Sequence, residues 1–443
     1  MLAILENRTY RHLFLAQVIA LVGTGLATVA LGLLAFELAG AEAGAVLGTA
    51  LAIKMIAYVG VAPVASAFAE RVPRRAMLVA LDLVRAAVAV FLPFVTEIWQ
   101  VYVLIFVLQS ASAAFTPTFQ ATIPDILPDE KEYTRALSLS RLAYDLESVV
   151  SPMLAAALLA FISFHSLFAG TVIGFLVSAA LVISVVLPSP KPSKPRGIYD
   201  RTTRGIRIYL ATPRLRGLLS LNLAVAAAGA MVIVNTVVVV KGLLGGTDSD
   251  VALALACFGG GSMISALALP RLLDRISDRL VMLTAGSALG VILLGFGLFA
   301  FVVGLGPSPS MVWPAMLATW LLLGIGYSAV MTPSGRLLRR SAQPADRPAV
   351  FAAQFALSHA CWLVTYPVAG WLGSSAGMVP TLMALAAITL GGLLLAGWLW
   401  PREDTGVVPH RHPELPPEHP HVNDDPSRHA HAYVIDDLHP RWP

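Results

Sequence analysis

Long apolar stretches alternate with short polar turns along nearly the whole chain. Runs of about 20 residues, the length needed to cross the hydrocarbon core of a bilayer, fall near 12–36, 44–69, 76–97, 101–123, 138–160 and 164–187. After one polar stretch, six more fall near 217–240, 250–270, 280–304, 310–332, 349–372 and 378–400. The pattern predicts an all-α polytopic membrane protein with twelve transmembrane helices.

Charge supports the count, because short cytoplasmic loops carry an excess of Lys and Arg. Arg8 and Arg11, then Arg71, Arg74 and Arg75, then Lys131 and Arg135, and a basic stretch from Lys191 to Arg216 fall in alternate loops. Arg271, Arg275 and Arg279 follow, then Arg336, Arg339, Arg340 and Arg347. The intervening turns near 39–43, 96–100, 161–163, 305–309 and 373–377 contain no Lys or Arg, and only Lys241 breaks the alternation. The expectation is a multi-pass protein of the plasma membrane, the inner membrane of a bacterium, with both termini cytoplasmic.

Composition agrees: 57% of residues are hydrophobic and 13% charged, against roughly 25% charged in soluble domains, and the mean hydropathy is +0.76. The net charge of +4 belongs to the loops and implies no nucleic-acid partner. Cys257 and Cys361, the only cysteines, fall in predicted spans, which argues against a disulfide framework. The first apolar run is too long for a signal-peptide core, so it is expected to remain as the first helix.

The polar stretch 188–215 divides the chain. Pro188, Pro190, Pro192 and Pro195 stiffen its first part, and Arg201, Arg204 and Arg207 mark the second. That second part reads either as a basic amphipathic helix on the anionic inner leaflet or as a plain connector. The expected organisation is an N-terminal six-helix bundle (1–187), the linker (188–215), a C-terminal six-helix bundle (216–400) and a disordered His- and Pro-rich tail (401–443).

The halves repeat weakly, as in transporters built from duplicated bundles. Ala69-Glu70-Arg71-Val72-Pro73-Arg74-Arg75 follows the second span, and Leu273-Asp274-Arg275-Ile276-Ser277-Asp278-Arg279 follows the eighth. Ser151-Pro152-Met153-Leu154-Ala155-Ala156 in the fifth span is echoed by Tyr366-Pro367-Val368-Ala369-Gly370 in the eleventh. At these residues the chain resembles the major facilitator superfamily, whose loop between spans two and three typically reads G-x-x-x-D-R-x-G-R-R. Ser66, Glu70 and Pro73 replace the first glycine, the aspartate and the second glycine, while Arg71, Arg74 and Arg75 are kept. The resemblance implies a conformational latch at Glu70, Arg71, Arg74 and Arg75, repeated at Asp274 and Arg275. The exporters of that family often carry G-P-x-x-G-G in span five. Here Pro152 is kept, with Ser151, Ala155 and Ala156 for the glycines and Glu147 at an earlier glycine position, which is weak support for efflux.

Ionisable groups inside spans are costly and mark pathways, proton relays or paired networks. Lys54 lies in span two. Asp82 and Arg85, three apart, share a face of span three and are expected to pair, as are Arg141 and Asp145 in span five. Glu147 points away from that pair, near Tyr144 and Ser151, and is the candidate for protonation or cation binding. Lys54 lacks a partner on its own helix, and an acid from another span is expected to supply one. His359 and Cys361 in span eleven are weak candidates for a metal. Spans five and eleven are not expected to touch.

The tail carries seven of the ten histidines, as His410 and His412, His419 and His421, His429 and His431, then His439. Its prolines forbid a long helix. In extended chain each His-x-His places two imidazoles on one side, a pattern suited to nickel, cobalt, copper or zinc.

No Gly-rich phosphate loop followed by Lys-Ser/Thr is present, so an ATP-driven pump or other enzyme is not expected; no cofactor is required, and the tail is a candidate site for a divalent metal, nickel, cobalt or zinc. The leading expectation is a monomeric, proton-coupled exporter of a divalent metal, nickel or cobalt, working by alternating access among membrane lipid. The alternatives are export of an organic solute such as a drug or siderophore, with the tail accessory, and a metal-sensing membrane protein that transports nothing.

Overall fold

A computed structural model describes the backbone of residues 2–69, 72–188, 198–273, 275–305, 309–343, 346–402, 407–410, 429–436, 438–439 and 441–442. Some side chains within those ranges lie outside the description, among them 62–69, Arg141, Asp145 and the histidines of the tail strands. The N-terminal half is built from α1 (Arg8–Ala39), α2 (Ala43–Ala69), α3 (Arg74–Phe91), α4 (Ile98–Ile126), α5 (Glu130–Leu159) and α6 (His165–Ile183). A linker helix, α7 (Ile198–Ala211), leads to α8 (Pro213–Val237), α9 (Asp248–Leu273), α10 (Asp278–Val303), α11 (Pro309–Met331), the short α12 (Ser334–Arg340), α13 (Arg347–Ser375) and α14 (Met378–Leu399). Omitting α7 and α12, the α-helices form twelve spans in two six-helix bundles.

Local chemistry sets several helix ends. The Asn7 side chain accepts from the Tyr10 N–H to start α1, Ser277 does the same for Leu280 at α10, and Glu97 with Gln100 forms a capping box at α4. Ten stretches of described residues are long and apolar enough to cross a membrane, the first of them running through both α1 and α2. Together they take in every span helix except α5, which carries Arg141, Asp145 and Glu147. The outer surface is apolar: Leu267, Val291, Val302, Leu394 and Trp398 are all more than 60% exposed, an arrangement stable only against lipid.

The bundles meet along two helix pairs, α2 with α13 and α5 with α9. At the turns opposite the basic loops α2 and α13 come together backbone to backbone. A methyl group on Gly48 would stand 2.6 Å from the Tyr366 carbonyl oxygen and 3.1 Å from the Gly370 Cα, so only glycine permits this approach. Trp371 Nε1 donates to Thr49 Oγ1 (2.9 Å), and Asn235 Nδ2 donates to the Ala369 carbonyl (3.0 Å).

Lys241, the exception to the charge alternation, lies in a π-turn over residues 238–243. It pairs with Asp248 and sits 5.3 Å over the Phe36 ring, so local partners hold a cation on the otherwise base-free face.

Two expectations change. The linker helix α7 docks on protein rather than on the lipid surface: Arg204 makes a bidentate contact with Asp346 (2.6 and 3.1 Å), and Tyr209 donates to Gln354. Burial holds the Tyr209 phenol well above its ordinary pKa. The tail is not wholly disordered either. Strands β1 (Val407–His410) and β2 (His429–Ala432) pair antiparallel, and Tyr433, Ile435 and His439 beyond them are buried. Apolar side chains near the terminus give that segment surface to bury, which the polar composition of the tail as a whole conceals.

Candidate functional site

Glu147 occupies the seam between α5 and α1. Its Oε1 lies so close to Gly25 that a methyl group there would stand 2.5 Å away. Across the seam, Lys54 of α2 lies within Coulombic reach of Glu147, with its ammonium 5.8 Å over the Tyr58 ring. Tyr58, one turn further along α2, stacks on His359 of α13 (5.1 Å between centroids) and meets Phe355 edge-on (5.7 Å). His359 Nδ1 is 2.6 Å from the Phe355 carbonyl; a carbonyl only accepts, so the proton is on Nδ1. A line of polar groups thus runs from α5 through α2 to α13, with Lys54 within Coulombic reach of both Glu147 and His359. The spacing leaves Lys54 without an acid on its own helix, but does not show that Glu147 of α5 comes within Coulombic reach of it.

A crevice opens beside Lys54, among Thr24, Thr28, Leu51, Gln109 and Phe175. Thr24 donates to the Ala20 carbonyl (2.9 Å) and Thr28 to the Thr24 carbonyl (3.0 Å), which leaves their oxygen lone pairs available. Gln109 is 6% exposed, and its Oε1 has no hydrogen-bond partner.

Asp82 and Arg85 are enclosed separately. Arg85 donates to Asp82, Ser178 Oγ donates to the second carboxylate oxygen (2.7 Å), and the guanidinium lies between the Phe115 and Phe175 rings (4.2 and 4.5 Å). This pair braces α3 against α4 and α6. The side chains of Arg141 and Asp145 are outside the described set.

On the basic face the two halves carry matching contacts. Arg74 at the start of α3 pairs with Asp125 at the end of α4, and Arg75 donates to the Ile183 carbonyl at the end of α6. In the other half Asp278 at the start of α10 lies 3.6 Å from Arg336 of α12, and Arg279 donates to the Trp400 carbonyl after α14 (3.1 and 3.2 Å). Asp125, Asp278 and Arg336 were not singled out by motif reading, although Asp278 and Arg74 align in the repeat. Arg275 is exposed, and Glu70, Arg71 and Asp274 lie outside the described residues.

The sequence profile of the Major Facilitator Superfamily matches residues 13–302 and 218–428. The chain belongs to this superfamily. Among its relatives is YfiS, an uncharacterized MFS-type transporter of Bacillus subtilis (strain 168), 24% identical over 64% of this chain and 67% of that protein. Macrolide efflux protein A of Enterococcus faecalis is 24% identical over 32% of this chain, which spans about half of that relative's length (47%). The fold is similar to that of a bacterial homologue of the human lysosomal transporter Spinster in an inward-facing conformation (TM-score 0.67, 14% identity, 89% of this chain and 97% of that one). It is similar as well to a bacterial metal transporter (TM-score 0.61, 16% identity, 88% and 98%). This chain is therefore a transporter of the superfamily and not an enzyme.

In this transporter the described tail residues close on the C-terminal bundle. Arg214 at the start of α8 donates to the Tyr433 carbonyl (3.3 Å) and lies 5.2 Å over the Trp442 ring. Gln343 donates to Asp436 (2.6 Å). Tyr433 packs on His439 and Trp442 (4.6 and 5.2 Å) and donates to the Arg441 carbonyl (2.8 Å). Burial, reinforced by Asp436, raises the Tyr433 pKa, so the phenol stays neutral.

His439 is 2% exposed and bound to Asp436 (2.8 Å), which holds it in the docked terminal segment. His359 and Cys361 are separated: His359 meets α2, while Cys361 faces the Leu219 carbonyl of α8 (4.0 Å). Among the described residues no three His, Cys, Asp or Glu side chains are grouped to hold a metal ion. Backbone register makes His410 the cross-strand partner of His429, and Val408 that of His431. His412, His419 and His421 lie outside the described residues.

Proposed function

We propose that this transporter exports an amphipathic organic solute from the cytoplasm in exchange for protons, by alternating access between its two bundles. The observation that carries the reading is the position of Glu147 beside Gly25 and within reach of Lys54, on a polar line that crosses from one bundle to the other. A carboxylate in a span is tolerated while a cation compensates it; when the cation leaves, uptake of a proton removes the cost of the bare charge. Aromatic faces near this line, Tyr58 and Phe355 with Tyr327, Trp362 and Tyr366, suit an organic body better than a hydrated ion. The superfamily membership and the partial likeness to macrolide efflux proteins support the export direction. With the basic loops taken as cytoplasmic, both termini lie in the cytoplasm of the cell.

The test is transport in vesicles with an imposed pH gradient, using a panel of fluorescent organic solutes. Wild-type protein is expected to drive accumulation that collapses with the gradient, and Glu147→Gln to abolish the gradient dependence. Gradient-driven transport that survives Glu147→Gln overturns the proton role.

A second reading, export of nickel or cobalt with the tail gathering ions, draws on the seven tail histidines and on the His410–His429 register. Cells expressing the full chain or a deletion of 401–443 distinguish it: unchanged nickel, cobalt and zinc content in both removes the metal reading.

A further inference from the structure

The two strands of the tail sort their residues by face. In an antiparallel pair, directly opposed residues share a side, and so do residues two apart along one strand. The register 408↔431 and 410↔429 therefore puts His410, His429 and His431 on one face with Val408, and Val407, Pro409, Ala430 and Ala432 on the other. Val407, Pro409 and Ala430 are exposed. Val408 packs against the main core, and Tyr433, two residues past His431, is 5% exposed. The histidine face is thus the one turned toward the transporter body.

The ladder is short for what it closes. It has four residue pairs, an isolated two-stranded ladder is marginal in water, and the segment it closes, 411–428, carries prolines at 413, 416, 417, 420 and 426. Closing a long segment costs chain entropy. Beyond β2 the contacts of Tyr433 with Arg214 and of Asp436 with Gln343 fix the terminal group to the second bundle, so a bond across the ladder fastens the whole tail.

We infer that His410, His429 and His431 form a divalent-metal site whose filling clasps the tail to the second bundle. Opposed residues stand about 4.5–5.5 Å apart at Cβ and diagonal ones about 7–8 Å or less, within the span of imidazoles that meet one ion at about 2.0–2.1 Å. Three imidazoles suit zinc, nickel or copper, whereas magnesium and calcium take oxygen ligands. The three ligands come together only while the ladder is paired, so metal binding and tail docking are linked equilibria. His412, His419 and His421 fall between the strands and His439 is bound to Asp436; none of them belongs to the site. The clasp holds the tail rather than gathering cargo, so it goes beyond both transport readings and stands whichever solute is exported.

The probe is Zn2+ alone, competed against a chromogenic chelator in purified full-length protein, with tryptic cleavage at Arg441 as the second readout. Wild type is expected to bind zinc tightly, and free zinc at about ten times its dissociation constant to slow cleavage about tenfold, because opening must first release the ion. Mg2+ is expected to do neither. His410→Ala/His429→Ala is expected to lose at least about a hundredfold in zinc affinity and His431→Ala about tenfold, against about threefold at most for His419→Ala/His421→Ala. The zinc effect on cleavage is expected to disappear with the site. Thermal unfolding and metal-free cleavage at Arg441 show whether each variant folds and docks its tail; where the double variant has lost docking without metal, His431→Ala decides. Absence of a tight zinc site in wild type, equal losses in the strand and loop variants, or zinc binding that leaves cleavage unchanged overturns the inference.

Discussion

Arg74 and Asp278 stand at the first residue of corresponding helices, α3 and α10, and carry opposite charges. Each meets a partner of the other sign at the end of the following span region, Asp125 and Arg336, so one ion pair is built twice with its polarity reversed. The reversal is not neutral. A helix N-terminus favours an acid by about 0.3–1 kcal/mol and disfavours a base. Asp278 is therefore supported by its own helix, whereas Arg74 relies more on Asp125. Asp125→Asn is expected to lower stability by about 1–2 kcal/mol, and Arg336→Ala, at an exposed and longer contact, by less than about 0.5 kcal/mol. Unfolding midpoints in detergent that rank the two variants the other way contradict this account.

The close approach of α2 and α13 predicts a sharp contrast between two glycines of one helix. Gly48→Ala forces a methyl group against Tyr366 and Gly370, which is expected to cost about 1–3 kcal/mol and to slow transport. Gly60→Ala meets nothing within 4 Å and removes a flexible residue from a helix, for a gain of about 0.5–1 kcal/mol. Equal thermal shifts in the two variants count against backbone packing at this seam.

Breaking the enclosed Asp82–Arg85 pair by Asp82→Asn is expected to destabilise by about 3–5 kcal/mol, because the guanidinium is left buried without its counterion. The double variant Asp82→Leu/Arg85→Met should recover most of that loss. A double variant no better than the single one argues that the charges serve transport rather than bracing, which vesicle assays then show directly.

His359→Phe keeps the stacking on Tyr58 and loses both ring nitrogens. Transport of an organic solute is expected to stay within about twofold, since the lost Nδ1–carbonyl bond is a modest term. A large drop confined to metal transport revives the metal-ligand role.

The tail anchor is open to proteolysis experiments. Tyr433→Ala removes the ring on which His439 and Trp442 pack and the bond to the Arg441 carbonyl. Tryptic cleavage at Arg441 is expected to accelerate about tenfold or more as local opening becomes easier. An unchanged rate means the terminal segment holds by other contacts.

Spans were legible in the sequence because lipid imposes one rule on every residue of a helix: α2 at 43–69 and α14 at 378–399 fall within a residue of the apolar runs. Neighbours were less legible. Hydropathy identifies Lys54 as a cation within a span but not the helix that faces it, and the approach of Glu147 depends on α5 packing on α1 at Gly25. In the sequence Asp125 looks like any acid near a helix end, and only the fold brings Arg74 at the start of α3 to it. In the tail, prolines and charges over 401–428 masked an apolar terminal group, Tyr433, Ile435 and Trp442, which is the signal that would have revealed docking.

Docking of α7 on α13 shortens the effective tether between the bundles. With Arg204 clasped to Asp346 and Tyr209 to Gln354, the linker helix belongs mechanically to the second bundle. At the other end His12 lies 2.6 Å from Ser184, which ties the end of α6 to α1. The two bodies are then joined by the stretch from Ser184 to Ile198, whose chain length alone allows at most about 50 Å between its ends. A rocking motion of the bundles has only that leash to work with, so trimming its proline-rich portion is a direct way to set how far the transporter can swing.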